Sequence, residues 1–167
     1  HLGESGSLIS PVLPESYEFL ENIYSEMIPA FNTEFYNINC DETFDLGKGS
    51  SKDLVDSIGY AEVYYLHIKK LYDILEKYDK RVIMWGDILM QNPDLLKKLP
   101  KDILIGTWDY DARDTFEDFI EPFKMSGHEF WVVPGVLNTT RIYPDFNKAF
   151  GNIDVFVSEG FNAGASG

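Results

Sequence analysis

The chain has 167 residues, enough to bury one sizeable core, and its length fits a single domain. With 28 acidic against 14 basic residues it carries a net charge of −14, which argues against a nucleic-acid backbone or an anionic membrane surface as partner. Its one cysteine, Cys40, excludes an internal disulfide, and no apolar run approaches the roughly 18 residues of a membrane-inserted helix, so cytoplasmic and exported locations both stay open. The opening on His1 rather than Met makes the chain read as a piece of a longer protein.

Pro14 stands where a first-turn proline starts a helix, and Tyr17, Leu20, Ile23, Tyr24, Met27, Ile28 and Phe31 recur at spacings of three and four. That helix should end between Pro29 and Asn32. A strand is expected over 35–40. Its period of two puts Phe35, Asn37, Asn39 and Asp41 on one face and Tyr36, Ile38 and Cys40 on the other. The first of these faces is polar and ends in an acid, so it reads as the lining of a cavity, with Cys40 a small core residue on the opposite side. A loop through Gly47 and Gly49 leads to Asp53 or Asp56 as the cap of a second helix, which runs to about Tyr78 with Ile58, Ala61, Tyr64, Ile68, Leu71, Tyr72 and Leu75 on one stripe.

The runs Val82-Ile83-Met84-Trp85 and Ile103-Leu104-Ile105-Gly106-Thr107 are apolar on both faces, as strands covered from both sides must be. A short helix near 93–99 separates them. A helix near 115–125 and a strand Phe130-Trp131-Val132-Val133 follow; then comes a loop with Asn138, Arg141 and Tyr143, and a last helix over 145–163. One helix followed by four strand–helix units predicts an α/β fold with a parallel sheet, whose ligands bind at the carboxyl ends of the strands. Four units make roughly half of a (β/α)8 barrel of about 250 residues, or an open sheet.

Every expected strand end carries polar or aromatic residues: Asp41 and Glu42; Trp85 and Asp87; Trp108, Asp109 and Tyr110; then Asn138. Carboxylates beside aromatic walls suit glycoside hydrolysis, in which one acid protonates the leaving oxygen and another supports positive charge near the anomeric carbon. Taken alone, an acidic pair in so acidic a chain is as readily structural. Asp87 and Asp109 either bind sugar hydroxyls or cap helices, Trp131 lies inside an apolar strand and reads as core, and His67 and His128 read as structural or solvated. No metal-ligand spacing and no phosphate-cradling glycine loop is present, and no cofactor is implied.

The runs N-C-D-E-T-F-D-L-G-K-G, H-I-K-K-L-Y-D-I-L-E-K-Y-D-K-R-V-I-M-W-G-D-I-L and G-T-W-D-Y resemble the family 20 glycoside hydrolases, the β-N-acetylhexosaminidases. The resemblance covers most of the chain from about Pro14. It implies a (β/α)8 TIM-type barrel, of which this single partial catalytic domain over 1–167 supplies strands 4 to 7 with their helices. It also implies removal of terminal β-linked N-acetylhexosamine by substrate-assisted catalysis. Glu42 would be the general acid/base, and Asp41 would orient the 2-acetamido group whose oxygen attacks the anomeric carbon. Trp85 and Trp108 match pocket-walling tryptophans, and Tyr110, Asn138, Tyr143, Asp87 and Asp109 are further candidates for sugar contact. The family usually has two glycines before the D-E pair, where this chain has Asn39 and Cys40.

A half-barrel exposes apolar strand edges, which predicts that the isolated fragment is inactive and either dimerises through them or belongs to a larger ordered chain. The expected partners are N-acetylhexosamine-containing glycans. The rival readings are a barrel that binds carbohydrate without cleaving it and a divalent-metal hydrolase that uses Asp41, Glu42, Asp87 and Asp109 as oxygen ligands.

Overall fold

The structure is a computed structural model and describes residues 2–137 and 142–167. These form two compact units, His1–Val82 and Ile83–Gly167.

In the first unit, Pro14 opens α1 (Pro14–Met27), which a 3-10 turn at Ile28–Ala30 ends. Strand β1 covers only Phe35–Asn37. The expected strand over 35–40 is therefore too long, and its two-sided face pattern stops at Asn37, because Asn39 and Cys40 have φ of 60° and 65°, which no strand accommodates. The single second helix expected after the glycine loop is two helices, α2 (Lys52–Ile58) and α3 (Tyr60–Glu76), broken at Gly59 with φ 88°. Neither Asp53 nor Asp56 is a cap: Ser51 precedes α2, and Asp56 pairs along the helix with Lys52. The apolar stripe of α3 supplies much of this unit's core, with Val63, Tyr64, Ile68, Leu71, Ile74 and Leu75 all buried. Burial of such a stripe, rather than helix propensity, is what holds a helix of this kind in place.

Strand β2 (Arg81–Trp85) carries the chain into the second unit, where it pairs in parallel with β3 (Leu104–Asp109), Ile83 opposite Leu104 and Trp85 opposite Gly106. Strand β4 (Phe130–Pro134) continues the parallel ladder on the far side of β3, from Ile105 opposite Phe130 to Asp109 opposite Pro134. The connections are α4 (Asp87–Gln91) with a 3-10 turn at Pro93–Lys97, then α5 (Glu117–Ser126); α6 (Phe146–Ala163) follows β4. The short helix near 93–99 is this 3-10 turn, and α4 before it lacked a periodic signal because it is barely more than one turn. Residues 103–107 are fully buried, as a strand covered on both faces requires.

The helices close over β3 and β4 through aromatic packing. Phe116 and Phe156 stack with centroids 4.1 Å apart, both fully buried. Gly160 lets α6 approach β4, since a Cβ there would lie 2.5 Å from Val132. Asp145 caps α6 by accepting the Lys148 backbone N–H at 3.2 Å.

Candidate active site

In the first unit the acidic pair sits on an unusual piece of backbone. Asn39, Cys40 and Glu42 all have left-handed φ, of 60°, 65° and 48°. Asn is the non-glycine residue that tolerates this region best, and here the Asn37 side chain accepts the Asn39 backbone N–H at 2.8 Å in an Asx-type turn. Asn39 and Cys40 thus adopt the backbone that glycines adopt freely. Asp41 is half-buried and Glu42 is exposed. Beside them a cavity of about 320 Å³ is lined by Ser7, Ile9, Asn39, Cys40, Asp41, Tyr64 and His67, among others.

Three groups outside the corner fasten it. Tyr64 Oη donates to the Cys40 carbonyl at 2.7 Å. Tyr60 Oη meets the hydroxyl of Thr43 and also lies 3.3 Å from the Thr43 carbonyl. Farther along, buried Glu4 holds the loop after the pair, accepting from Ser50 Oγ at 2.8 Å and from Ser51 N at 3.1 Å. Burial opposes the charge on Glu4, but the hydrogen bonds from Ser50, Ser51 and Ser10 outweigh it and leave its pKa below the ordinary value. Nothing in the sequence distinguishes Glu4. Tyr60 and Tyr64 left one trace: hydroxyls four residues apart on a helix whose neighbouring buried positions are aliphatic.

His67, which also lines this cavity, is tied to α1. Its Nδ1 lies 2.9 Å from Tyr17 Oη, which itself donates to the Pro11 carbonyl at 2.9 Å. Burial pushes the His67 pKa down to about 4 and the Tyr17 hydroxyl up to about 12.

The other candidates lie in the second unit. Trp85 ends β2 with its ring over Gly106, where a Cβ would come within 2.8 Å of it. Trp108 sits near the end of β3, its ring centroid 5.5 Å from that of Tyr110. Tyr110 in turn covers Gly135, where a Cβ would fall 2.2 Å from the ring. Trp108 Nε1 and Thr107 Oγ1 are buried with no partner among the described residues. Asp87 is the first residue of α4, after Gly86 at the cap position, so it is not the cap itself. Asp109 accepts the Tyr110 backbone N–H at 2.8 Å and pairs with Arg113, which makes it a turn-former whatever else it does.

Asn152, fully buried on α6, was not recognisable from its sequence position. Its side chain ties the exits of β3 and β4 together, donating to the carbonyls of Asp109 at 3.2 Å and Asp111 at 2.8 Å and accepting from Gly135 N at 2.9 Å. Tyr143 is exposed, and Asn138 lies outside the described residues. Trp131 is half-buried rather than core. Among the described residues no group of three or more His, Cys, Asp or Glu side chains is placed to hold a metal ion, and no helix is long and apolar enough to cross a membrane.

Residues 1–132 match the glycosyl hydrolase family 20 catalytic domain. The chain belongs to that family. The beta-hexosaminidase subunit alpha of Rattus norvegicus is 22% identical to it over 152 residues, covering 85% of this chain and 28% of the relative. The chitobiase structure from Flavobacterium johnsoniae matches 80% of this chain with a TM-score of 0.61 at 18% identity, over 21% of its own length. A mutant Streptomyces plicatus beta-hexosaminidase in complex with product (GlcNAc) matches 80% of this chain with a TM-score of 0.53 at 16% identity, over 23% of its own length. The parallel strands and helices are thus those of the family 20 barrel, and the chain spans between 16% and 28% of the curated relatives it matches.

Proposed function

We propose that the protein carrying this chain is a β-N-acetylhexosaminidase that removes terminal β-linked N-acetylhexosamine with retention of configuration. The observation that carries the reading is the family 20 match across a D-E pair set on a left-handed corner beside a cavity. Backbone held in a disfavoured region is characteristic of functional sites, because surrounding structure must over-determine it.

In the reaction, Asp41 accepts a hydrogen bond from the acetamide N–H and turns its carbonyl oxygen toward the anomeric carbon. That oxygen attacks as the glycosidic C–O bond breaks, and the proton of Glu42 passes to the leaving oxygen. An oxazolinium ring results. Glu42, now a carboxylate, takes a proton from water as the water oxygen attacks the same carbon and reopens the ring; two inversions leave retention. Asp41 stays anionic beside the positive ring, and no protein nucleophile is needed. By the family resemblance, Trp85, Trp108 and Tyr110 are assigned to the flat faces of the sugar ring, and Asp87, Asp109, Asn138 and Tyr143 to its polar groups. Activity is assigned to the whole protein; the 167 residues alone are expected to be inactive.

The test is Glu42→Gln in the whole protein. Turnover of an N-acetylglucosaminide with a poor leaving group should fall by roughly 10²-fold or more, the usual contribution of a positioned proton donor. Undiminished turnover would overturn the assignment. Tryptophan fluorescence titrated with N-acetylglucosamine in the same preparation separates a sugar-binding barrel without hydrolysis from an enzyme.

A further inference from the structure

The corner that bears Asp41 and Glu42 does not hold its shape by local preference, so something must impose it. Of the four residues from Asn39 to Glu42, three are left-handed and none is glycine. Each is disfavoured by contact of its own Cβ with the backbone, and such a run survives only where neighbours over-determine it. The Asx turn at Asn37 accounts for the entry to the corner. Beyond it, the Cys40 carbonyl takes the Tyr64 hydroxyl at 2.7 Å, and Thr43 takes the Tyr60 hydroxyl. The two contacts bracket the acidic pair, one on the residue before Asp41 and one on the residue after Glu42.

Both tyrosines stand on α3, four residues apart and on one face, with rings nearly parallel at 5° and centroids 6.4 Å apart. Tyr64 is 2% exposed, so its ring has little freedom. A phenylalanine would fill the same space. What the hydroxyls add is a fixed distance between a packed helix and the peptides on either side of the pair.

We propose that Tyr64 and Tyr60 are positioning residues that clamp the left-handed corner and so aim both carboxylates. The proposal rests on the roles given above to Asp41 and Glu42. Displacing a reacting group by about 1 Å costs rate far more than it costs binding. Loss of the Tyr64 hydroxyl frees the peptide that leads into Asp41, and loss of the Tyr60 hydroxyl frees the residue that follows Glu42.

Tyr64→Phe and Tyr60→Phe in the whole protein, assayed beside Glu42→Gln, test this. Tyr64→Phe should lower kcat about tenfold on an N-acetylglucosaminide with a poor leaving group. It should lower it much less on a dinitrophenyl glycoside, which needs little protonation, and KM should stay within about twofold. In a Glu42→Gln background the leaving-group-dependent part of the loss should vanish, because the group being aimed is gone. An equal loss on every substrate that tracks the fraction of folded protein would overturn the clamp, as would unchanged kcat and leaving-group dependence, while inactive Glu42→Gln leaves the acid assignment standing. Unimpaired Glu42→Gln would overturn both. Should Tyr64→Phe fail to fold, Tyr60→Phe, whose residue is only half-buried, decides by the same readouts.

Discussion

The acidic corner of the first unit and the aromatic strand ends of the second are built on opposite plans. At 37–43 the backbone leaves the strand after Asn37, runs through left-handed residues, and is held by side chains: Asn37 from within, Tyr60 and Tyr64 from α3. At 104–110 and 130–135 the backbone is regular parallel strand, and the rings rest where a side chain is missing, Trp85 over Gly106 and Tyr110 over Gly135. The first arrangement stores conformational energy and depends on individual hydroxyls. The second stores little and depends on empty space at glycine and on one buried amide. Strand ladders dictate where a residue at a strand end must be, whereas a turn into left-handed backbone has no ladder and must be fastened from outside.

Substitutions can break this contrast or sharpen it. The largest stability effect is expected at Asn152, whose replacement by leucine leaves the Asp109 and Asp111 carbonyls and the Gly135 N–H without their buried partner. Three hydrogen bonds at about 1 kcal/mol each put the loss near 3 kcal/mol. Urea unfolding should show it, and a loss below about 1 kcal/mol would mean that the strand ladder alone fixes those exits.

A smaller effect separates Cys40→Val from Cys40→Gly. A β-branched residue at φ 65° adds roughly 1–3 kcal/mol of backbone strain, whereas glycine relieves strain and gives back part of the gain as unfolded-chain entropy. The valine variant should melt several degrees below the glycine variant. Equal melting temperatures would show that the corner is not strained at this residue.

A third effect depends on pH and is confined to the corner's surroundings. His67 titrates near pH 4 when folded against 6.5 as a free side chain, so the unfolded chain binds its proton first as pH falls. The contribution is complete above pH 6.5 and is lost on descending toward pH 4, at up to about 1.4 kcal/mol per pH unit. Unfolding free energies measured between pH 7 and 4.5 should slope in this sense, and His67→Gln should flatten the slope. An unchanged slope in that variant would place the titrating group elsewhere.

The regular half was the more legible of the two. Continuous apolar runs located β2, β3 and β4, the stripe at spacings of three and four located α1, α3 and α5, and Asp145 marked the start of α6, because burial on both faces and capping leave direct traces in residue type. Misreadings gathered where local signals conflict. Alternation carried the first strand three residues too far, since Asn39 and Cys40 look strand-compatible in type and differ only in φ. Gly59 broke what read as one helix, and α4 was too short to show a period. The acidic pair and the tryptophans were legible as residue types at strand ends. Their supports were not, apart from the trace of two hydroxyls at Tyr60 and Tyr64, because a side chain such as Glu4 or Asn152 that acts through a hydrogen bond 17 to 47 residues away leaves little local pattern.

By itself, then, the sequence determined the order of strands and helices, the parallel class of the sheet, the family, and the identity of Asp41 and Glu42 as the pair to examine. Tertiary structure alone decided that Asn39 and Cys40 take the backbone usually left to glycine, and that two hydroxyls on α3 bond to Cys40 and Thr43 on either side of the acidic pair. Burial pattern and chemistry are written residue by residue along a chain; a disfavoured φ is set by contacts that exist only once the chain has folded.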